Sequence, residues 1–164
     1  MITAEYAKEL LTYDPKTGIL RWRMDRGRNG KVKAGDIAGT RELSESRYFA
    51  IKIDNVLYKN HRLAWLITYG YMPKCIDHID GDTGNNRLAN LRECTMTQNK
   101  GNSRSYKNNT SGVKGVHQVR GRWRSYVQCG RKRVHIGYFD TKEEAAAAYI
   151  KKAKELFGEF ARAA

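Results

Sequence analysis

Long apolar runs are missing from this 164-residue sequence, and acidic residues are missing from one long segment of it. No run reaches the length of about 18 apolar residues that a helix needs to cross a membrane. The N-terminus also lacks the basic, apolar and small-residue succession of a secretory signal. We therefore expect a soluble intracellular protein that does not bind a membrane.

Cysteine is scarce as well. The three cysteines, Cys75, Cys94 and Cys129, are an odd number and lie far apart in the sequence. They form neither a disulfide framework nor a Cys-x-x-Cys zinc knuckle, so reduced, buried thiols are the favoured interpretation. Any metal would then be held by oxygen and imidazole ligands, which suit Mg²⁺ or Mn²⁺ better than a structural zinc.

Basic residues, in contrast, are abundant and concentrated. Lys and Arg number 31 against 17 Asp and Glu, which gives a formal net charge of +14. Residues 101 to 139 contain nine Lys or Arg and no Asp or Glu. This charge favours a polyanionic partner, and nucleic acid comes first. RNA stays an alternative, although the sequence shows no stacking aromatics of a single-strand reader.

Apolar periodicity and turn residues predict an α+β fold. In the first half, the expected elements are a short helix at 3–11, strands at 19–23, 48–53 and 56–59, and a buried helix at 61–69. The Gly-rich, basic stretch at 26–39 is expected to be a loop. Residues 75–79 and 88–94 predict two further strands on either side of a polar loop. Thr95 and Gln98 then have the spacing of a capping box, so a helix should carry Asn99 in its first turn.

The second half predicts a three-stranded antiparallel sheet packed on one helix. The expected strands are 113–119, 122–128 and 134–139, and a capping box at Thr141 and Glu144 begins the helix. Residues 102–111 are polar and basic without apolar periodicity. We therefore expect one domain at 1–102, a linker at 103–111 and a second domain at 112–164.

Asp77, His78 and Asn99 form a candidate nuclease centre. Phosphodiester hydrolysis needs a base that activates water and a cation held beside it, and Asp and Asn oxygens are suitable ligands for Mg²⁺. Neighbouring side chains on a strand point to opposite faces, so Asp77 and His78 can share a site only if the strand ends there. Nearby, His61 is favoured as a structural residue over a ligand. Asp80 and Asp82 are favoured as turn formers, with a place in the outer shell of the metal as the alternative.

These residues carry a resemblance to a known family. The matching segments are HRLAW at 61–65, DHIDG at 77–81, NNRLANL at 85–91 and Asn99, with lead-in segments at 13–20 and 34–39. They resemble the phage HNH homing endonucleases, which are ββα-metal nucleases. The resemblance implies that His78 is the general base, that Asp77 and Asn99 hold one divalent metal, and that Asn90 braces the loop and the His78 ring. It also implies a bacteriophage enzyme acting in the cytoplasm of a bacterial host.

The second half has a basic sheet face. Alternation along 122–128 places Arg122, Arg124, Tyr126 and Gln128 on one face, while Trp123, Ser125 and Val127 face the helix. The segments at 112–116, 121–123, 136–141 and 143–149 resemble the plant ethylene-response-factor type of DNA-binding domain. The resemblance implies DNA contacts through the sheet, which map to Lys114, His117, Arg122, Arg124, Tyr126, Arg133 and His135. His117 and His135 replace residues that are usually Arg and Trp in that family, so a different sequence preference is expected.

The sequence therefore predicts a metal-dependent DNA endonuclease of the homing type. A single base and a single divalent ion serve one scissile phosphate, so one active site nicks one strand, and a monomer is the favoured state. The alternative is a non-catalytic DNA-binding regulator that keeps an inactive nuclease fold. The complete set of Asp77, His78, Asn90 and Asn99 favours the enzyme.

Overall fold

Two units divide the chain in the computed structural model, which describes residues 2–27, 31–41, 48–105 and 108–162. The first unit is Met1–Glu93 and the second is Cys94–Ala164. Helices and strands mix in both units, which confirms the α+β prediction. Part of the predicted loop (residues 28–30) and part of the predicted linker (residues 106 and 107) lie outside the described residues.

The first unit combines two helices with three short antiparallel ladders. Its elements are α1 (Ala4–Leu10), β1 (Leu11–Asp14), β2 (Ile19–Trp22), β3 (Thr40–Arg41), β4 (Phe49–Ile53), β5 (Val56–Lys59), α2 (Asn60–Tyr69), β6 (Ile76–His78) and β7 (Leu91–Glu93). Strands β1 and β2 pair with each other, β3, β4 and β5 form a sheet in that order, and β6 pairs with β7.

The N-terminal helix ends earlier than the sequence predicts. Leu11 adopts an extended backbone and begins β1, which pairs antiparallel with β2 so that Leu11 lies opposite Trp22. Strand β1 was missed because its four residues are too few to separate alternation from helical periodicity. The turn at Asp14 is confirmed, since its carboxylate accepts a hydrogen bond from Lys16 N and Gly18 takes a positive φ of 76°.

The core of the first unit lies between α1, α2 and the sheet β3–β4–β5. Leu63 on α2 packs with Leu20, Ile51 and Ile53, and all four side chains are at most 2% exposed. The hairpin from β4 to β5 turns through Asp54 and Asn55, which both have a positive φ, as a tight hairpin turn requires. Burial of one apolar stripe of α2 therefore fixes the helix on the sheet.

A second cluster in this unit supports the strand that carries the Asp-His pair. Ala64 and Trp65 of α2 pack against Ile76 of β6 and Leu91 of β7. Part of the predicted strand at 88–94 is a 3-10 turn, Leu88–Asn90, before β7 begins. Strand β6 ends at His78, so the condition for Asp77 and His78 to share a site is met.

The second unit is a three-stranded antiparallel sheet with one long helix. Its elements are α3 (Met96–Asn102), β8 (Val116–Val119), β9 (Arg122–Cys129), β10 (Lys132–Phe139), α4 (Lys142–Phe157) and a final 3-10 turn, Gly158–Phe160. Both predicted capping boxes are present, at the starts of α3 and α4. Val116 and Val127 of the sheet pack with Ala145 and Tyr149 of α4 in a buried core.

Helix α3 belongs to the second unit rather than the first. It packs on α4, and a Cβ on Gly101 would lie 2.8 Å from the ring of Phe157, so only glycine permits this approach. The compact units divide after Glu93, and the domain bounds expected from the sequence, with a linker at 103–111, stay a prediction. Apolar periodicity did not show this because α3 is short and contacts α4 through a glycine.

Candidate functional site

Asp77 and Arg92 form a buried ion pair across the β6–β7 hairpin. The two residues lie directly opposite each other in the ladder. Arg92 Nε and Nη2 donate to Asp77 Oδ2 at 2.9 and 2.8 Å, and the carboxylate side chain is 5% exposed. Burying a charge is costly unless it is paired, so Arg92 compensates the Asp77 charge.

His78 is the second buried polar residue at the end of β6. It is 4% exposed, and its Nε2 lies 3.1 Å from Asn86 Oδ1. The rings of Tyr48 and His61 flank it at centroid distances of 6.0 and 5.1 Å. Burial lowers the pKa of His78 below its ordinary value, and the hydrogen bond to Asn86 opposes this only in part. The ring is therefore neutral at neutral pH and can accept a proton.

His61 lies beside His78 and is also buried. It is 6% exposed, contacts Tyr48 at a centroid distance of 5.0 Å, and its Nδ1 has no hydrogen-bond partner among the residues that the structure describes. Burial, followed by the proximity of His78, lowers the pKa of His61 to about 3. This neutral ring packs against the candidate base, which agrees with the structural role favoured from sequence.

The loop after His78 is held by Asn90. The side chain of Asn90 accepts from Asp80 N and donates both to Asp80 Oδ1 and to the backbone oxygen of Asn85, at 2.8 to 3.0 Å. Burial raises the pKa of Asp80, but hydrogen bonds from Asp82 N, Asn85 and Asn90 outweigh it and leave the pKa below its ordinary value. Asn90 thus braces the loop, whereas Asn86 contacts the His78 ring.

The donor set fits a hard divalent cation. Among the described residues, no group of three or more His, Cys, Asp or Glu could hold a metal ion. A site built from one carboxylate and one amide oxygen is not such a group, and these oxygens are ligands that Mg²⁺ and Mn²⁺ accept. Asp77 lies in the first unit, and Asn99, in the first turn of α3, lies in the second. Their shared coordination of one ion stays a prediction.

Comparison with known proteins assigns this arrangement to a family. The HNH endonuclease family matches residues 58–100, which span α2, β6, β7 and most of α3. Protein 3.8 of Escherichia phage T7 is 37% identical over 108 residues, covering 63% of this chain and 88% of that protein. The chain belongs to the HNH endonuclease family. An uncharacterized HNH endonuclease of Acanthamoeba polyphaga mimivirus is 38% identical over 105 residues, covering 62% of this chain and 54% of that protein.

These findings confirm that the chain is a DNA endonuclease of the HNH type with viral relatives. HNH nucleases generally depend on a divalent metal. No solved structure shows significant similarity to the chain. In the part of the chain that the structure describes, no helix is long and apolar enough to cross a membrane.

The second unit of the HNH endonuclease carries a basic and aromatic cluster on the exposed face of its sheet. Tyr126 lies at the centre of this cluster on the middle strand β9. Its ring stacks with His117 at 5.4 Å, and the guanidinium groups of Arg133 and Arg124 lie 4.4 and 5.5 Å from its centroid. The Tyr126 hydroxyl and His117 Nε2 are 3.0 Å apart. Four of the predicted DNA contacts therefore meet on one face.

The other three residues predicted to contact DNA have different surroundings. His135 lies opposite Tyr126 on β10. Arg122 is paired with Asp140 at 3.0 Å, so one acid adjoins a face that the sequence indicated as free of acids. Lys114 precedes β8, and its ammonium donates to the backbone oxygens of Lys100, Gly101 and Ser103 at 2.9 Å.

The Lys114 ammonium therefore caps the end of α3. Burial lowers the pKa of Lys114 to about 8, as expected for an ammonium removed from solvent. Because the Lys114 ammonium donates its hydrogen bonds to the end of α3, its surroundings do not support a direct contact with DNA.

Sequence reasoning missed the partners of the centre. Arg92 was not singled out, because its position opposite Asp77 depends on the length and shape of the intervening loop. Asn86 was recognised only as part of a motif, and its contact with His78 spans eight residues of irregular chain. Tyr48 had no signal beyond its place in a predicted strand.

Proposed function

We propose that this HNH endonuclease hydrolyses phosphodiester bonds in double-stranded DNA with His78 as general base and Asp77 and Asn99 as ligands of one divalent ion. The observation that carries the proposal is the burial of Asp77 and His78 side by side at the end of β6, with His78 neutral. A neutral imidazole can take a proton from an attacking water molecule.

The side chains around His78 position its imidazole ring and the loop that follows it. Asn86 and the rings of His61 and Tyr48 hold the imidazole of His78 and exclude solvent from one side of it. Asn90 fixes the loop that follows. A bound Mg²⁺ or Mn²⁺ would stabilise charge on the phosphate and on the leaving oxygen.

The basic sheet of the second unit would supply affinity for the duplex. His117, Arg124 and Arg133 contact the ring of Tyr126, and His135 lies opposite Tyr126 on β10. These basic and long side chains suit phosphate and base-edge contacts in the major groove. One base and one ion serve one scissile phosphate, so each visit nicks one strand. One relative is a phage protein, and we extend the proposal accordingly to a homing-type enzyme that acts in the cytoplasm of a bacterial host. The proposal also includes a monomeric state.

A nicking assay tests this function. A pooled library of supercoiled plasmids with random inserts is incubated with the full chain and either Mg²⁺ or a chelator, and nicked ends are sequenced. We expect Mg²⁺-dependent nicks at a defined site. On a duplex containing that site, His78→Ala should lower the single-turnover rate by about a hundredfold or more while binding stays near the wild-type value.

Arg133→Ala is the matched control. It should weaken binding while the rate at saturating enzyme stays close to that of the wild type, because Arg133 contacts the ring of Tyr126 on the basic sheet and has no role in the proposed hydrolysis. Cleavage at full rate by His78→Ala would refute the role of His78 as base. Duplex binding without any nicking by the wild type in Mg²⁺ or Mn²⁺ would favour the inactive regulator.

A further inference from the structure

Asn86 is a buried loop residue whose amide meets the imidazole of His78. Its Oδ1 lies 3.1 Å from His78 Nε2, and Asn86 is 4% exposed. An amide oxygen can only accept a hydrogen bond, so this contact is a hydrogen bond when Nε2 carries the proton of the neutral ring. The lone pair then lies on Nδ1, which becomes the nitrogen that can accept a proton.

The β1–β2 hairpin holds the backbone on which Asn86 stands. The hydroxyl of Tyr13 donates to the Asn86 backbone oxygen at 2.8 Å. Leu88 N donates to the Pro15 backbone oxygen at 3.0 Å, so hydrogen bonds flank the segment on both sides of Arg87. Burial raises the pKa of Tyr13 to about 12, so its hydroxyl stays protonated and available as a donor.

Gly18 brings the hairpin into direct backbone contact with the same segment. A Cβ at this position would lie 2.5 Å from both Asn86 C and Arg87 N, closer than real side chains approach. The φ of Gly18 is also positive, at 76°, which favours glycine. The hairpin therefore contacts the Asn86 segment through three residues, Tyr13, Pro15 and Gly18.

We propose that Asn86 is a positioning residue of the nuclease centre and that the β1–β2 hairpin holds it in place. The hairpin lies before the residues that match the family, 58–100, yet its contacts reach His78 through one amide. Asn86 fixes the tautomer of His78, and the hairpin fixes the backbone of Asn86. This inference rests on the proposed role of His78 as general base.

Two substitutions of Asn86 separate positioning from simple structural support. Asn86→Leu keeps the branched shape and the number of side-chain heavy atoms but removes the acceptor, whereas Asn86→Asp keeps an acceptor oxygen. With the full chain, saturating Mg²⁺ and the mapped duplex, we expect Asn86→Leu to lower the single-turnover rate by about tenfold or more, since a misoriented base loses much of its contribution. Asn86→Asp should recover most of the rate. KM for the duplex should stay unchanged in both.

The ring nitrogens of His78 give a readout that a structural role would not move. In a neutral imidazole, the protonated and unprotonated nitrogens differ strongly in ¹⁵N chemical shift, and the His78 signals are assigned by their loss in His78→Ala. The wild type should show a proton on Nε2. Asn86→Leu should show a mixture of tautomers, and a single Nε2–H form in that variant would overturn the proposal.

Tyr13→Phe tests the hairpin with a smaller change. It removes the hydroxyl that holds the Asn86 backbone and keeps the ring, so folding should survive even if Asn86→Leu does not fold. Because the hydrogen bond contributes about 1 kcal/mol, we expect the rate to fall up to about fivefold. Tyr58→Phe is the matched control: Tyr58 is also partly buried against the core of this unit, and its variant should keep the wild-type rate.

The outcomes distinguish this inference from the proposed function. If His78→Ala cleaves at the wild-type rate, the proposed function fails and the inference fails with it. If His78→Ala is inactive while Asn86→Leu and Tyr13→Phe both keep the wild-type rate, His78 remains the base and the positioning role of Asn86 and the hairpin is wrong. A loss of rate in both variants, with Tyr58→Phe unchanged, supports the inference.

Discussion

Tyr126 organises the basic residues on the exposed sheet face. Arg124 and Arg133 both lie over its ring, and His117 stacks on it. Cation–π contacts of this kind contribute about 0.5–1 kcal/mol each at exposed sites. Tyr126→Leu should therefore weaken duplex binding by about three- to tenfold, because both guanidinium groups lose the surface that orients them. Fluorescence anisotropy with a labelled duplex measures this change.

The matched variant is Tyr126→Phe. It retains the ring beneath both guanidinium groups and loses only the hydroxyl near His117 Nε2, so binding should stay close to that of the wild type. Equal losses in Tyr126→Leu and Tyr126→Phe would assign the effect to the hydroxyl and contradict the stacking account. Unchanged binding in both would remove this cluster from the DNA contact surface.

At the residue scale, the sequence indicated which side chains could carry the reaction but not which side chains surround them. Asp77 and His78 stand out because an Asp-His pair before an Asn-rich loop is a specific motif. The environment of the pair comes from Tyr48, His61, Asn86 and Arg92, which are distant in sequence. Their positions depend on strand register and loop shape, which residue types alone do not specify.

At the scale of elements, the β6–β7 hairpin stores a buried charge pair beside the centre. Removing one partner of such a pair costs about 3–5 kcal/mol, so Arg92→Leu should lower the free energy of unfolding by that order. A cation bound at Asp77 would replace the missing positive charge. Mg²⁺ should therefore stabilise Arg92→Leu more than it stabilises the wild type, as urea unfolding with and without Mg²⁺ would show.

Lys33→Leu is the control for this prediction. Lys33 pairs with Asp25 at the surface of the same unit, with side chains 65% and 55% exposed, so its removal should change stability little and should not alter the response to Mg²⁺. An equal Mg²⁺ response in Arg92→Leu and the wild type would argue against a cation at Asp77.

Local chemistry explains which elements the sequence could predict. Thr95 and Thr141 predict the starts of α3 and α4, because each supplies a capping hydroxyl three residues before a Gln or Glu. Strands β1 and β3 were missed, since segments of four and two residues form only when a partner strand is present. The packing of α3 on the second unit depends on a glycine–phenylalanine contact that periodicity does not show.

At the scale of the whole molecule, the proposed metal site takes one ligand from each unit. Asp77 belongs to the unit that includes the β6–β7 hairpin, and Asn99 belongs to the unit that includes the basic sheet. Metal affinity should then depend on a residue from each unit.

Titration of Mn²⁺ into the full chain tests this central claim most directly. We expect one ion per wild-type chain, and we expect Asp77→Ala and Asn99→Ala each to weaken its affinity by tenfold or more, on the order of the loss of one ligand contact. His78→Ala should bind Mn²⁺ like the wild type, because the proposed role of His78 is that of a base and not of a ligand. Unchanged affinity in Asn99→Ala would contradict the shared metal centre.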